Sequence, residues 1–303
     1  MIQKHLLKMA DLTEQDILEI LALADQMKFN QKNGIPHKVL EGKTLAMLFS
    51  KASTRTRVSF EAGIIQLGGH SIVLTGNESQ IGRGEPIEDT ARVLSRYVDG
   101  IMIRTFAHRD VEILAEYSTV PVINGLTDYS HPCQILADLM TVREKKAALN
   151  GLNVCWIGDG NNVCNSLIAG ALTCGMNVRV ACPEGYDPDS DVLAAAQNNP
   201  QFNLLRCPKA AAEDSDVIFT DVFASMGQES EQEQRQKDFE GFQVNQELMS
   251  LARPDCMVQH CLPAHRGEEI TAGVFEAHAG EIFDEAENRL HAQKAVMALL
   301  MGG

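Results

Sequence analysis

Short apolar runs alternate with amphipathic stretches along the chain, and this alternation predicts the architecture. Thr44 to Phe49, Ser71 to Leu74, Gly100 to Ile103 and Val120 to Ile123 are largely apolar and have the length of buried strands. Between them, Ser59 to Leu67, Ile87 to Val98 and Asp110 to Tyr117 carry helical spacing. Ahead of them, Thr13 with Asp16 three residues later is a capping-box signature, and Ile17, Ile20, Leu21 and Ala24 then recur at helical intervals. Strand and helix in alternation imply a mostly parallel sheet covered on both faces.

A helix predicted from Pro132 to about Ala148 ends at the turn signal Asn150-Gly151, and a second alternating series follows. Its strands are Val154 to Ile157, Asn177 to Ala181, Val217 to Thr220 and Met257 to Gln259, with helices at Ser166 to Cys174 and Val192 to Gln197. The predicted fold class is α/β. Two consecutive α/β domains, residues 1–148 and 149–287, each hold a mostly parallel sheet flanked by helices, and a last helix, 288–303, packs back on the first. The active site of such a chain is expected in the interdomain cleft, at the carboxyl ends of the strands. Gln228 to Lys237, rich in Gln and Glu, reads as a mobile surface loop.

With 303 residues, either one large core or two smaller ones can be buried. The 26 basic residues against 41 acidic ones give a net charge of -15, which disfavours nucleic acid and anionic lipid as partners. Clustered arginines therefore stand out as local devices. All eight cysteines lie between Cys133 and Cys261 without a C-x-x-C pair, as in a cytoplasmic protein with free thiols. No secretory pattern opens the chain, and no apolar run approaches the ~18 residues of a membrane span.

The segment Ser50 to Arg57 directly follows an apolar strand and leads into a helix. Backbone N–H groups and the positive dipole end of that helix, three hydroxyls (Ser53, Thr54, Thr56) and the guanidiniums of Arg55 and Arg57 make an anion site suited to phosphate. A plain helix cap with solvated arginines is the alternative. Arg104, His131 and Gln134 are further candidates at strand ends, although alone each also fits a surface charge or a helix start. Gly158-Asp159-Gly160 follows a strand, but Val163 stands where a dinucleotide fingerprint needs its third glycine. Asn162 suits the zwitterionic end of an amino acid, and Asp221 suits an ammonium or a turn cap. His260-Cys261 has no second arm to complete a zinc site, so no metal is expected.

In this order these segments resemble the aspartate/ornithine carbamoyltransferases, on the ornithine side, over about Ala46 to Met301. The resemblance implies a carbamoyl phosphate-binding first domain and an ornithine-binding second one. It assigns carbamoyl phosphate to Ser53, Thr54, Arg55, Thr56, Gln80, Arg104, His131, Pro132, Cys133, Gln134, Cys261, Leu262 and Arg289. Ornithine falls to Asn162, Asp221, Ser225 and Met226. Gln80 matches a glutamine that reaches a neighbouring subunit's site, which implies a homotrimer. Phe223 departs from the family pattern, which usually has tryptophan there.

The implied reaction is attack by the δ-amine of L-ornithine on carbamoyl phosphate, giving L-citrulline and phosphate without a metal or redox cofactor. Arg55, Arg104 and Arg289 would hold the leaving phosphate, His131 and Thr56 the carbonyl oxygen, and Asp221 and Cys261 would accept or relay the amine's proton. Acetylornithine, putrescine and aspartate are alternative acceptors, and Asp221 disfavours the last by charge. A dinucleotide-dependent oxidoreductase and a non-catalytic binding subunit are the remaining alternatives.

Overall fold

The computed structural model describes residues 4–76, 84–225 and 227–302. Gln80 and Met226 lie outside them. The chain forms two compact units, Met1–Ala137 with Asn288–Gly303, and Asp138–Glu287.

The first unit opens with α1 (Glu14–Lys32). Thr13 accepts from the Asp16 N–H while Asp16 accepts from the Thr13 N–H, so both ends of the predicted capping box are made. Caps of this kind contribute ~1 kcal/mol, and here they aim Ile17, Ile20, Leu21 and Ala24 inward. A four-stranded parallel sheet follows, with β1 (Thr44–Phe49), β2 (His70–Thr75), β3 (Gly100–Arg104) and β4 (Val122–Leu126) in the order β2-β1-β3-β4. Its connecting helices are α2 (Thr54–Gln66), α3 (Ile87–Leu94) and α4 (His108–Tyr117), and α5 (Pro132–Lys146) leaves β4. Ala46, Leu48, Ile101 and Ile103 pack with Ala91, Val111 and Leu114 on one face.

β4 runs beyond the predicted Val120 to Ile123 run because Asn124-Gly125, a turn signal in sequence, lies inside the strand. Buried Asn124 is accommodated by donating to Leu7 O at 2.8 Å, and the backbone of Leu6 pairs with Val122 and Asn124. The N-terminal segment thereby covers this sheet edge.

The second unit has five parallel strands: β5 (Asn153–Ile157), β6 (Asn177–Ala181), β7 (Phe202–Leu205), β8 (Val217–Thr220) and β9 (Met257–His260), in the order β7-β6-β5-β8-β9. Its helices are α6 (Asn162–Thr173), α7 (Ser190–Ala196), α8 (Pro208–Ala212), α9 (Gln232–Asp238), α10 (Gln246–Met249) and α11 (Ala272–Ala277). β7 was not legible in the sequence, since Phe202 to Leu205 is short, only partly buried and interrupted by Asn203. Gln228 to Lys237, expected as a mobile surface loop, instead contains a short 3-10 turn and α9, because Arg235 is buried and anchored.

The last helix, α12 (Ala279–Met301), starts nine residues before the predicted Asn288. Gly280, which reads as a breaker, sits in its first turn, where glycine costs little. In the first unit α12 lies so close to α2 that a Cβ on Gly63 would sit 3.0 Å from Met297 Cε and 3.2 Å from Lys294 Cγ. Glycine permits that approach.

Lys294 is fully buried there, donating to Gln66 Oε1 at 3.0 Å and lying 3.1 Å from His37 Nε2. Burial lowers its pKa from 10.5 to about 8. Below pH 8 both folded and unfolded chains carry the proton; between 8 and 10.5 only the unfolded chain does, so stability rises with pH across that window. The parent is therefore expected to gain Tm relative to Lys294→Met as pH rises from 8 to 10. Parallel Tm-versus-pH curves would contradict this.

Candidate functional site

Both sheets reverse direction at a switch point, where loops at the carboxyl ends of adjacent strands diverge and ligands of such folds bind. In the first unit this point lies between β1 and β3, in the second between β5 and β8. The predicted site residues that are described divide between the two units.

In the first unit, Ser50 N donates to Arg104 O at 2.9 Å, tying the loop after β1 to the end of β3. Ser53 is the N-cap of α2, its hydroxyl accepting from Thr56 N at 3.2 Å. The three hydroxyls thus separate: Ser53 caps, Thr54 is exposed, and Thr56 is buried. Thr56 Oγ1 receives Arg104 Nη1 and Arg289 Nη2, each at 3.4 Å. Arg289 also donates to Gln134 Oε1 at 2.6 Å and to Gln293 Oε1 at 3.0 Å, and Gln293 in turn donates to Ser59 Oγ. The β3–β4 register shifts between Ile103 and Arg104, where a bulge re-aims a side chain.

Two guanidiniums are therefore buried side by side, Arg104 at 8% and Arg289 at 4% exposure, around one hydroxyl and a helix N-terminus. Arg55, one residue inside α2, is exposed, whereas Arg57 turns to Glu61 at 3.5 Å in a surface helix pair and leaves the cluster. His131 is buried immediately before Pro132 opens α5. Burial first, then the charges of Arg289, Arg104 and Arg55, hold its pKa well below the usual imidazole range. At neutral pH His131 is an uncharged hydrogen-bonding group amid three cations. Cys133 is buried, donates to Asn124 O at 3.4 Å and has its thiol pushed up to about 12 by burial, so it is structural.

A rate profile between pH 6 and 8 should accordingly show no acid limb from His131, and His131→Asn should lower the rate without changing the shape of the profile. A limb near pH 6.5 that vanishes in His131→Asn would refute a neutral His131.

Lys51 escaped the sequence reading. It is buried, 2.5 Å from Asp128 Oδ1 and 4.6 Å from the centre of the Phe106 ring, and stiffens the loop that carries Ser53. Nothing in a polar segment marks which lysine is covered.

In the second unit Asp221 follows β8 and is buried. Its Oδ1 accepts from Val222 N at 2.8 Å and from the Cys261 thiol at 3.1 Å, and its Oδ2 from Asn161 Nδ2 at 2.8 Å. Asn161, not Asn162, is the N-cap of α6, its Oδ1 receiving the N–H groups of Val163 and Cys164. Asn162 is the first helical residue. Sequence reasoning missed Asn161 because two adjacent asparagines are equivalent until the helix start is fixed. Ser225 N is held by Gln228 Oε1 at 2.9 Å.

Burial, followed by the Asp221 charge, raises the Cys261 thiol well above its ordinary range. Cys261 is thus a thiol donor and not a nucleophilic thiolate. His260 Nδ1 accepts from Leu262 N at 2.9 Å and Nε2 faces Glu269 Oε1 at 2.9 Å, which places the proton on Nε2. Asp221, His260 and Cys261 come close enough to suggest a metal site, but both ring nitrogens are already engaged. The bond from Leu262 holds that residue at φ 59°, a left-handed conformation that costs ~1–3 kcal/mol for a side-chain-bearing residue. Such stored strain is characteristic of functional turns.

Of the two glycines of Gly158-Asp159-Gly160, the first takes a positive φ of 140° and the second has a packing purpose. A Cβ on Gly160 would stand 2.2 Å from Pro188 N and 2.3 Å from Asp187 C. That approach is to the protein's own backbone, so the segment serves the fold, as its missing third glycine indicated.

Residues 4–144 match the family described as aspartate/ornithine carbamoyltransferase, carbamoyl-P binding domain, and residues 150–300 match the Asp/Orn binding domain of the same group. The chain belongs to the aspartate/ornithine carbamoyltransferase family. An ornithine carbamoyltransferase of Carboxydothermus hydrogenoformans is 57% identical over 304 residues, covering 99% of this chain and 98% of the relative. A Pyrococcus furiosus relative described as anabolic ornithine carbamoyltransferase is 56% identical over 305 residues, covering 99% and 97%. A solved P. furiosus ornithine carbamoyltransferase superimposes with a TM-score of 0.94 at 56% identity, covering 99% of this chain and 97% of that one. The anabolic enzyme of Campylobacter jejuni gives 0.93 at 40% identity, covering 98% and 99%. As a member of this family the chain is a carbamoyltransferase with two parallel-sheet α/β domains. No helix among the described residues is long and apolar enough to cross a membrane.

Proposed function

We propose that the protein transfers the carbamoyl group of carbamoyl phosphate to the δ-amine of L-ornithine, releasing L-citrulline and phosphate. The observation that carries this reading is the presence of a buried two-arginine anion site in one unit and of a buried carboxylate, Asp221, in the other. In this reading unit one binds carbamoyl phosphate and unit two the amino acid.

Arg55, Arg104 and Arg289 neutralise the leaving phosphate, with Ser53, Thr54 and the α2 N-terminus as further donors. A preorganised donor is typically worth ~3–4 kcal/mol at a site where charge develops. Neutral His131 and Thr56 donate to the carbonyl oxygen as it becomes an oxyanion, while Gln134 orients Arg289 and Pro132 and Cys133 fix the start of α5. The strained Cys261-Leu262 turn presents backbone groups to the carbamoyl moiety. Asn162, Asp221, Ser225 and Met226 hold ornithine, and Asp221, already accepting from Cys261, takes or relays the proton the amine must lose. Aspartate is disfavoured because Asp221 would face a second carboxylate.

The same reading places the protein in the cytoplasm as a homotrimer whose Gln80 reaches the neighbouring site. It assigns the enzyme to arginine biosynthesis, a direction supported by relatives described as anabolic. No metal or redox cofactor enters the reaction. The test is to assay carbamoylation of ornithine, acetylornithine, putrescine and aspartate side by side. Citrulline formation at least ~100-fold faster than the other products, equivalent to ~2.7 kcal/mol, is expected; preference for another amine would reject the assignment.

A further inference from the structure

Arg235 belongs to the stretch whose sequence reads as a solvated loop, yet it is buried in the second unit, with its Nε, its Nη1 and one face of its guanidinium engaged. Its Nε donates to Glu231 Oε2 at 2.9 Å on its own helix. Its Nη1 donates both to Asp159 Oδ2 at 3.0 Å and to Phe223 O at 2.9 Å. Its face lies 4.9 Å from the centre of the Tyr186 ring. One side chain thus ties the loop after β5, which carries Asp159, Asn161 and Asn162, to the loop after β8, which carries Asp221, Phe223 and Ser225.

A second contact grips the same segment. Phe239, just past the end of α9, stacks on Phe223 with ring centres 4.6 Å apart and planes 24° from parallel, and also touches Tyr186 and Phe242. Phe223, where the family pattern has tryptophan, is therefore clamped at its ring by Phe239 and at its carbonyl by Arg235. Two residues upstream, Asp221 is held to Asn161 by the 2.8 Å bond. The two loops can keep that bond only while their separation is fixed.

We infer that Arg235 is a positioning residue for amine binding: by bridging Asp159 and the Phe223 carbonyl it sets the distance between the Asn161–Asn162 and Asp221–Ser225 segments. The inference rests on the ornithine reading above and adds a residue to it.

Kinetics with each substrate varied separately test it. Arg235→Met is expected to raise the ornithine KM at least ~20-fold, roughly the loss of one charge-assisted contact, while the carbamoyl phosphate KM stays within about twofold. Because this variant leaves Asp159 buried without its cation and lowers stability, Arg235→Met combined with Asp159→Asn is measured beside it. The double variant removes the isolated charge and should recover Tm, yet keep the raised ornithine KM, since the Phe223 carbonyl still has no clamp. Arg235→Lys, which keeps the charge without the two-acceptor reach, should fall between. Recovery of both Tm and ornithine KM in the double variant would show a merely structural role and overturn the inference. An ornithine KM that does not move in Arg235→Met would do the same while leaving the functional reading intact. A parent chain that makes no citrulline would overturn both.

Discussion

Asp221→Asn is expected to lower kcat/KM for ornithine about a thousandfold, ~4 kcal/mol, with little change in carbamoyl phosphate affinity. The carboxylate accepts from three donors, Val222 N, the Cys261 thiol and Asn161 Nδ2. An amide offers one oxygen, so its NH2 must face a donor. Turned toward Asn161, it meets another NH2 group. Asn161 cannot flip to receive it, because its own oxygen caps α6 through Val163 and Cys164. Turned the other way, the NH2 meets the Val222 N–H, which cannot move. The substitution therefore displaces the loop as well as removing the negative charge, and a fall in Tm should accompany the kinetic loss. Steady-state kinetics and thermal melts check both. A variant within about tenfold of the parent would exclude Asp221 from amine binding.

Arg55→Ala should act on the other substrate, cutting kcat/KM for carbamoyl phosphate by at least ~100-fold, as expected for a charge-assisted donor worth ~3–4 kcal/mol. Arg55 is exposed, whereas Arg104 and Arg289 are buried and both donate to Thr56. Alanine is also well suited to the first turn of α2. Kinetic loss with an unchanged Tm is thus the signature of a role on the ligand. Arg57→Ala is the internal control, since Arg57 pairs with Glu61 on the surface, and its rate should stay within about threefold. Equal losses in the two variants would indicate a diffuse electrostatic field in place of a specific contact.

These contrasts mark the limits of what residue type conveys. Ser53 to Arg57 was legible as an anion site because hydroxyls and guanidiniums followed an apolar strand, but five adjacent polar side chains carry no label for burial. One caps, two are exposed, one is buried under two arginines and one pairs away. Arg289 lies 233 positions from Thr56 in sequence, and only the packing of α12 on α2, permitted by Gly63, makes them neighbours. Periodicity found the regular strands and failed at Asn124, whose polar side chain is satisfied by Leu7, and at Arg235, whose charge is satisfied by Asp159.

The sequence by itself determined the alternating α/β plan, the capping of α1, the strands that end at each site and the residue types available there. These are consequences of local periodicity and local hydrogen bonding, which act over a few residues. Only the tertiary structure decided which arginines face one another, which asparagine holds Asp221, which nitrogen of His260 carries the proton and why Arg235 is buried. Each of those depends on two distant segments arriving at the same place, where desolvation makes every buried polar group require a partner.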